Sequence, residues 1–104
     1  MADIEVIITV VKGNVEVNRE PVYVSIPDGD EVNWINAQGY DFDIVFEDTP
    51  FQGDVYVFQG RGGKHVKSGR AKSGTGGGRK YKYTVVITSD RSVRPLDPTV
   101  RPWP

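Results

Sequence analysis

The sequence predicts an all-β fold, a Greek-key β-sandwich of about seven strands. Three observations predict it. Apolar residues recur with period two in short runs, as in Val22, Val24 and Ile26 or Tyr81, Tyr83, Val85 and Ile87, which places each set on one face of a pleated strand. Turn signals such as Lys12-Gly13-Asn14 and Pro27-Asp28-Gly29 separate the runs. No stretch keeps an apolar 3.6-residue period for three turns, so little or no helix is expected. A chain of 104 residues is one domain by size. The expected division is a sandwich over residues 1–101, carrying a Gly-rich basic loop at 60–80, and a Pro-rich tail at 102–104.

In chain order, Ile4, Val6, Ile8 and Val10 share one face of a first strand, and Glu5, Ile7, Thr9 and Val11 the other. Both faces are largely apolar, which predicts cover on both sides over part of its length. Val15 and Val17 flank Glu16 in a short second strand, and Asn18-Arg19-Glu20-Pro21 breaks the chain. Val22, Val24 and Ile26 form the third strand. The stretch 29–46 organises the rest: Val32 and Trp34 on one strand, the loop Asn36-Ala37-Gln38-Gly39, then Phe42, Ile44 and Phe46 on the next. These large side chains supply much of the apolar area that a small sandwich can bury. Glu47-Asp48-Thr49-Pro50 reads as an exposed acidic loop and Val55–Phe58 as a strand. Beyond the strand Tyr81–Ile87, Pro95, Pro98, Pro102 and Pro104 prevent regular pairing except around Val100.

Gly29-Asp30-Glu31-Val32-Asn33-Trp34-Ile35-Asn36 resembles the G-D-x-V-x-W-x-N stretch of cupredoxin-like domains. Phe42-Asp43-Ile44-Val45-Phe46, Tyr81-Lys82-Tyr83-Thr84-Val85-Val86-Ile87 and Leu96-Asp97-Pro98-Thr99-Val100 resemble later segments of the same family in the same order. The resemblance covers roughly residues 15–101 and implies a copper-binding electron carrier. A blue-copper site takes two imidazoles, one thiolate and usually a weak axial Met. This chain has no Cys, a single His at 65 and a single Met at 1. Tyr40-Asp41-Phe42 stands where the family commonly places its first His. The expectation is therefore a cupredoxin-like sandwich with no metal site and no cofactor.

The absence of cysteine excludes disulfides and thiolate chemistry. Acids at Asp3 and Glu5, and an apolar run Val6–Val11 too short for a membrane span, lead to the expectation of a cytoplasmic soluble protein. A net charge of −1 hides an asymmetry: residues 1–54 hold twelve acids against Lys12 and Arg19, and residues 55–104 hold eleven bases against Asp90 and Asp97. Acidic and basic strands meeting within one sandwich would account for this. A dipolar surface that takes a charged partner or stacks on a second copy is the alternative.

Asp28, Asp30 and Glu31 cluster in one turn, with Asp41 and Asp43, and Glu47 and Asp48, in others. Their spacing matches no cation loop, and they read as solvated turn acids. Residues 60–80 contain eight glycines, seven Lys or Arg and no acid. The stretch lacks the order of a P-loop and has no aromatic interleaving. One reading is a connection between the sheets, with Val66 and Ser68-Gly69 as an ordinary inter-strand segment. The other is an anion-binding or partner-binding segment using Arg61, Lys64, His65, Lys67, Arg70, Lys72, Arg79 and Lys80, mobile when free because ordering so many glycines costs conformational entropy. Tyr23, Tyr40, Tyr56 and Phe58 are candidates for an outer-face binding surface; Arg101-Pro102-Trp103-Pro104 reads as a frayed terminus or as Trp103 folded back to cover a sheet edge, with a polyproline-type ligand as the alternative. No catalytic constellation is present. The sequence thus points to a non-catalytic binding or assembly module with a protein partner, either itself or an acidic protein. Anion or nucleic-acid binding through 60–80 is the alternative, and a small hydrolase or carbohydrate binder the second; no membrane association is expected.

Overall fold

The computed structural model describes residues 2–61 and 65–104. These residues form two packed sheets and no helix. The strands are β1 (Asp3–Val11), β2 (Asn14–Val17), β3 (Val22–Ser25), β4 (Glu31–Ile35), β5 (Phe42–Phe46), β6 (Val57–Gly60), β7 (His65–Arg70), β8 (Tyr81–Ile87) and β9 (Thr99–Trp103). One sheet has the order β2-β1-β4-β7 and the other β3-β9-β8-β5-β6. The chain neighbours β1 and β2, β5 and β6, and β8 and β9 pair within a sheet, the other steps cross between sheets, and two pairs, β1 with β4 and β3 with β9, run parallel. No described helix is long and apolar enough to cross a membrane.

The inward face matches the period-two reading. Val6, Ile8, Val32 and Trp34 project from the first sheet, and Val22, Val24, Phe42, Ile44, Phe46, Tyr81, Tyr83, Val85 and Ile87 from the second. Trp34 is fully buried, with ring centroids of Phe46, Phe51, Phe58 and Tyr83 at 5.6–6.2 Å in tilted or edge-on arrangements. Burial pushes the Tyr83 phenol up to about 12, and the neighbouring Trp34 indole opposes that shift.

Four segments depart from expectation. The sixth expected run, Val55–Phe58, is a strand only from Val57, and it continues to Gly60. Gly53 and Asp54 adopt positive φ just before it, and that turn sets where pairing begins. Phe58, a candidate for the outer face, points into the core. In the acidic loop Glu47 and Asp48 are exposed, but Thr49, Pro50 and Phe51 are buried, because Gln52 N donates to Arg70 O (2.8 Å) and Lys72 N to Pro50 O (2.7 Å).

The basic stretch is not all connection. His65–Arg70 forms the edge strand β7, antiparallel to β4. It buries little apolar area. It is held instead by Ser68, which is buried and accepts from Val32 N (2.9 Å) while donating to Gly69 O (2.7 Å). The register shifts between Glu31 and Asn33 opposite it, and Gly69 takes φ 76°, a left-handed conformation that glycine adopts without penalty. The expectation of mobility for 60–80 is corrected over residues 65–70.

The C-terminal segment is likewise ordered. β9 pairs parallel with β3 from Val100 to Trp103. Pro102 is tolerated because pairing with β8 ends at Val100; alternation turns its nitrogen to that open side, while Trp103 O, facing β3, accepts from Ile26 N (2.7 Å).

Candidate functional site

The seven candidate cations among the described residues do not form one surface. Lys64 lies outside the described residues. Arg61 approaches Asp43 at 3.7 Å, Lys67 pairs with Asp3 at 2.9 Å, and Lys72 with Asp54 at 2.9 Å. Each of these bridges joins an acid of the first half to a base of the second, so part of the charge asymmetry is satisfied within the sandwich. The bonds to Asp3 and Asp54 hold the Lys67 and Lys72 ammonium groups above the ordinary lysine value. Arg70 is opposite Glu31 in the ladder, and its guanidinium lies over Gly29, where a Cβ would stand 3.2 Å from Nε. His65 is exposed at the start of β7, opposite Ile35. Arg79 and Lys80 are exposed and make no salt bridge among the described residues.

At the place where the family resemblance puts a metal ligand, the backbone is clasped and the space is filled. Asn36 is fully buried; its Oδ1 accepts from Gln38 N and Tyr40 N (3.0 Å each), and its Nδ2 donates to Ile8 O (3.0 Å). Asp41 N donates to Ser89 Oγ (3.0 Å), and Thr88 N to Asp41 O (2.9 Å). Phe42 then enters the core between Gly60 and Ile87. A Cβ at Gly60 would sit 2.2 Å from a Phe42 ring carbon, so the ring occupies the room that any larger residue there would need. Without a thiolate or a second imidazole anywhere in the chain, the residues present do not fit a blue-copper centre.

The acidic turns serve structural ends. Asp30 Oδ2 accepts from Ser25 N (3.0 Å), Asp43 faces Arg61, and Asp97 Oδ1 accepts from Thr84 Oγ1 (2.7 Å). A hollow of about 410 Å³ brings Glu47 and Asp48 beside Lys80, Lys82 and Asp97 on the outer face of the second sheet.

The feature that sequence reading placed only in part is an aromatic edge. Tyr23 is 53% exposed and Trp103 50% exposed, whereas Trp34, Phe42, Phe46, Phe51, Phe58, Tyr81 and Tyr83 are buried. Inward Val22 and Val24 force Tyr23 outward, which the alternation alone shows. That Trp103 joins it is visible only in the β3–β9 register, in which Tyr23 faces Arg101 and Ser25 faces Trp103. Tyr23, Gly78, Arg101, Pro102 and Trp103 line a groove of about 420 Å³. The Arg101 guanidinium lies 5.9 Å from the Tyr23 ring centre, and its Nη2 donates to Gly78 O at 3.3 Å.

No protein-family profile and no curated protein sequence matches the chain. Among solved structures it is similar to amicyanin. A reduced Cu(I) amicyanin variant aligns with a TM-score of 0.56 at 16% identity, over 96% of this chain and 81% of that one. An oxidised variant aligns at 0.56 with 17% identity, and a further Cu(I) variant at 0.57 with 17%, over the same shares. At such identity the likeness concerns the backbone and not the copper named in those structures. The chain has the cupredoxin-like fold.

Proposed function

We propose that the chain is a non-catalytic, metal-free binding module built on a cupredoxin-like sandwich, and that it takes its partner on the β3–β9 edge. The carrying observation is the pair Tyr23 and Trp103, half-exposed side by side on a sheet edge while seven other aromatics are buried. Exposed aromatics grouped with Arg are the side chains that most often anchor recognition. An electron-carrier role is disfavoured by the donor set and by the Phe42–Gly60 contact that fills the corresponding space. Retention of the full chain on immobilised single-stranded oligonucleotide, neutral glycan and acidic peptide tests this. Wild type is expected to be held by at least one of them and the Tyr23→Ser/Trp103→Ser variant released. Retention of neither, or equal retention of both, overturns the proposal.

A second reading, self-assembly, is favoured by Val55, Tyr56 and Val57, all exposed beside the open edge strand β6. Unpaired strand edges with apolar side chains promote pairing between chains. Sedimentation velocity across a range of concentrations decides it: a concentration-dependent dimer supports assembly, and a monomer throughout removes it.

A further inference from the structure

The basic stretch lacks aromatic residues of its own, and by sequence that weakens any nucleic-acid reading. The fold supplies them. Tyr23 comes from β3 and Trp103 from β9, and both border Gly78, which lies at the end of the Gly-rich run and immediately before Arg79 and Lys80. We propose that the groove between Tyr23 and Trp103 binds single-stranded nucleic acid, its unpaired bases stacking on the two rings and its phosphates meeting Arg101, Arg79 and Lys80. This inference names the ligand class of the edge assigned above and rests on that assignment.

Three properties of the groove carry it. Its walls are aromatic and proline surface, which suits flat unpaired bases of any identity. Its volume, about 420 Å³, falls in the range of small-molecule sites and accepts a nucleotide or two. Its lining side chains include one cation, Arg101, and no carboxylate or amide. A neutral sugar presents hydroxyls that need acceptors as well as donors, and this lining provides acceptors only through the Tyr23 hydroxyl and the backbone. A phosphate needs donors alone, and a guanidinium matches it. The flanking charge agrees. Residues 60–82 hold eight Lys or Arg and no acid; Arg61, Lys67 and Lys72 are spent on acids of the same chain, whereas Arg79 and Lys80 make no salt bridge among the described residues, Lys80 sharing the neighbouring hollow with Glu47, Asp48 and Asp97. Three acids flank β3: Glu20 is occupied, its Oε1 accepting from Thr99 N and Oγ1; Asp30 is occupied, its Oδ2 accepting from Ser25 N; and Asp28 lies in the turn after the strand. The reading is sequence-tolerant, because no base-edge partner is fixed in the lining; duplexes, whose bases have no free faces, should be poor ligands.

The test is fluorescence anisotropy of labelled oligothymidine and oligouridine with the full chain at several salt concentrations, with a duplex of equal length and a neutral oligosaccharide competitor alongside. Saturable binding of the single strands, a linear fall of log affinity with log salt, and quenching of Trp103 emission are expected. Trp103→Ser should weaken binding roughly 5- to 150-fold, the range for removing one stacking ring. Arg79→Ser/Lys80→Ser should lower the salt slope by about one to two while leaving the quenching in place. Equal affinity for oligothymidine and oligouridine assigns recognition to base and phosphate, and preference for one assigns it additionally to the sugar; either outcome supports the proposal. Absence of saturable binding at low salt overturns it, as does binding that Tyr23→Ser/Trp103→Ser leaves intact, which would place the contact on β7. Displacement of Trp103 quenching by the neutral oligosaccharide alone would overturn the nucleic-acid assignment while sustaining the binding edge.

Discussion

Replacing Gly60 by Ala puts a single methyl group against the Phe42 ring. The added Cβ would lie 2.2, 2.4 and 2.7 Å from three ring carbons, against an ordinary contact near ~3.5–4.0 Å, so the ring or the β6 backbone has to move by more than about 1 Å. Phe42 is fully buried and paired with Ile87 on its other side, which leaves no free direction. Overpacking a filled core costs about 1–3 kcal/mol, and this geometry places Gly60→Ala at the upper end. Shortening the ring to Leu removes the atoms that clash. In a Phe42→Leu background the same Gly60→Ala change should therefore cost at least about 1 kcal/mol less, a coupling of the size that contacting residues show. Urea unfolding of the wild type, both single variants and the double variant, with midpoint and slope fitted together, measures the cycle. Strict additivity would refute the reasoning: the ring would not occupy the space over Gly60, and the corresponding end of the sandwich would be open to a ligand.

Trp34→Ala should cost about 3–5 kcal/mol in the same urea assay, because it removes the ring that four other aromatics surround; a near-neutral result would contradict the core assignment. Alkaline unfolding should reveal Tyr83. Its phenol is near 10 in the unfolded chain and about 12 when folded, so the contribution is full below pH 10 and is lost as pH rises through 12, amounting to about 2–3 kcal/mol. Tyr83→Phe should flatten that alkaline limb, and an unchanged limb would count against the buried phenol. Lys67→Ser/Lys72→Ser should leave the thermal midpoint nearly unchanged, since both bridges are exposed to solvent; a large drop would mean that β7 depends on them.

Much of the sandwich was legible because its strands bury one face. Phe42, Ile44 and Phe46 alternate with Asp43 and Val45, and the buried set is the one that alternation selects. β7 was hidden for the opposite reason. Its ladder is fixed by the Ser68 hydroxyl and a left-handed Gly69, neither of which leaves an apolar period in the sequence. β9 was obscured by Pro102, which reads as a strand breaker unless the strand's open side is known. The candidate site divides in the same way. Tyr23 is outward by alternation, but its neighbours Arg101 and Trp103 lie about 80 residues away in the chain and meet it only through the parallel β3–β9 register. The basic residues singled out from composition are real surface charges, yet Lys67, Lys72 and Arg61 spend theirs on acids of the same chain. Composition reports how many charges exist and not which remain free.

The central claim, that the Tyr23–Trp103 edge is the binding face of a metal-free cupredoxin-like sandwich, is tested most directly by amide and indole NMR of the labelled full chain titrated with oligothymidine. The chain has two indole N–H groups, one buried on Trp34 and one on exposed Trp103. The account predicts that the Trp103 indole and the Gly78 and Arg101 amides shift together, with the Trp34 indole and the Val66–Gly69 amides unmoved. Shifts centred on Val66–Gly69, with Trp103 unchanged, would contradict it.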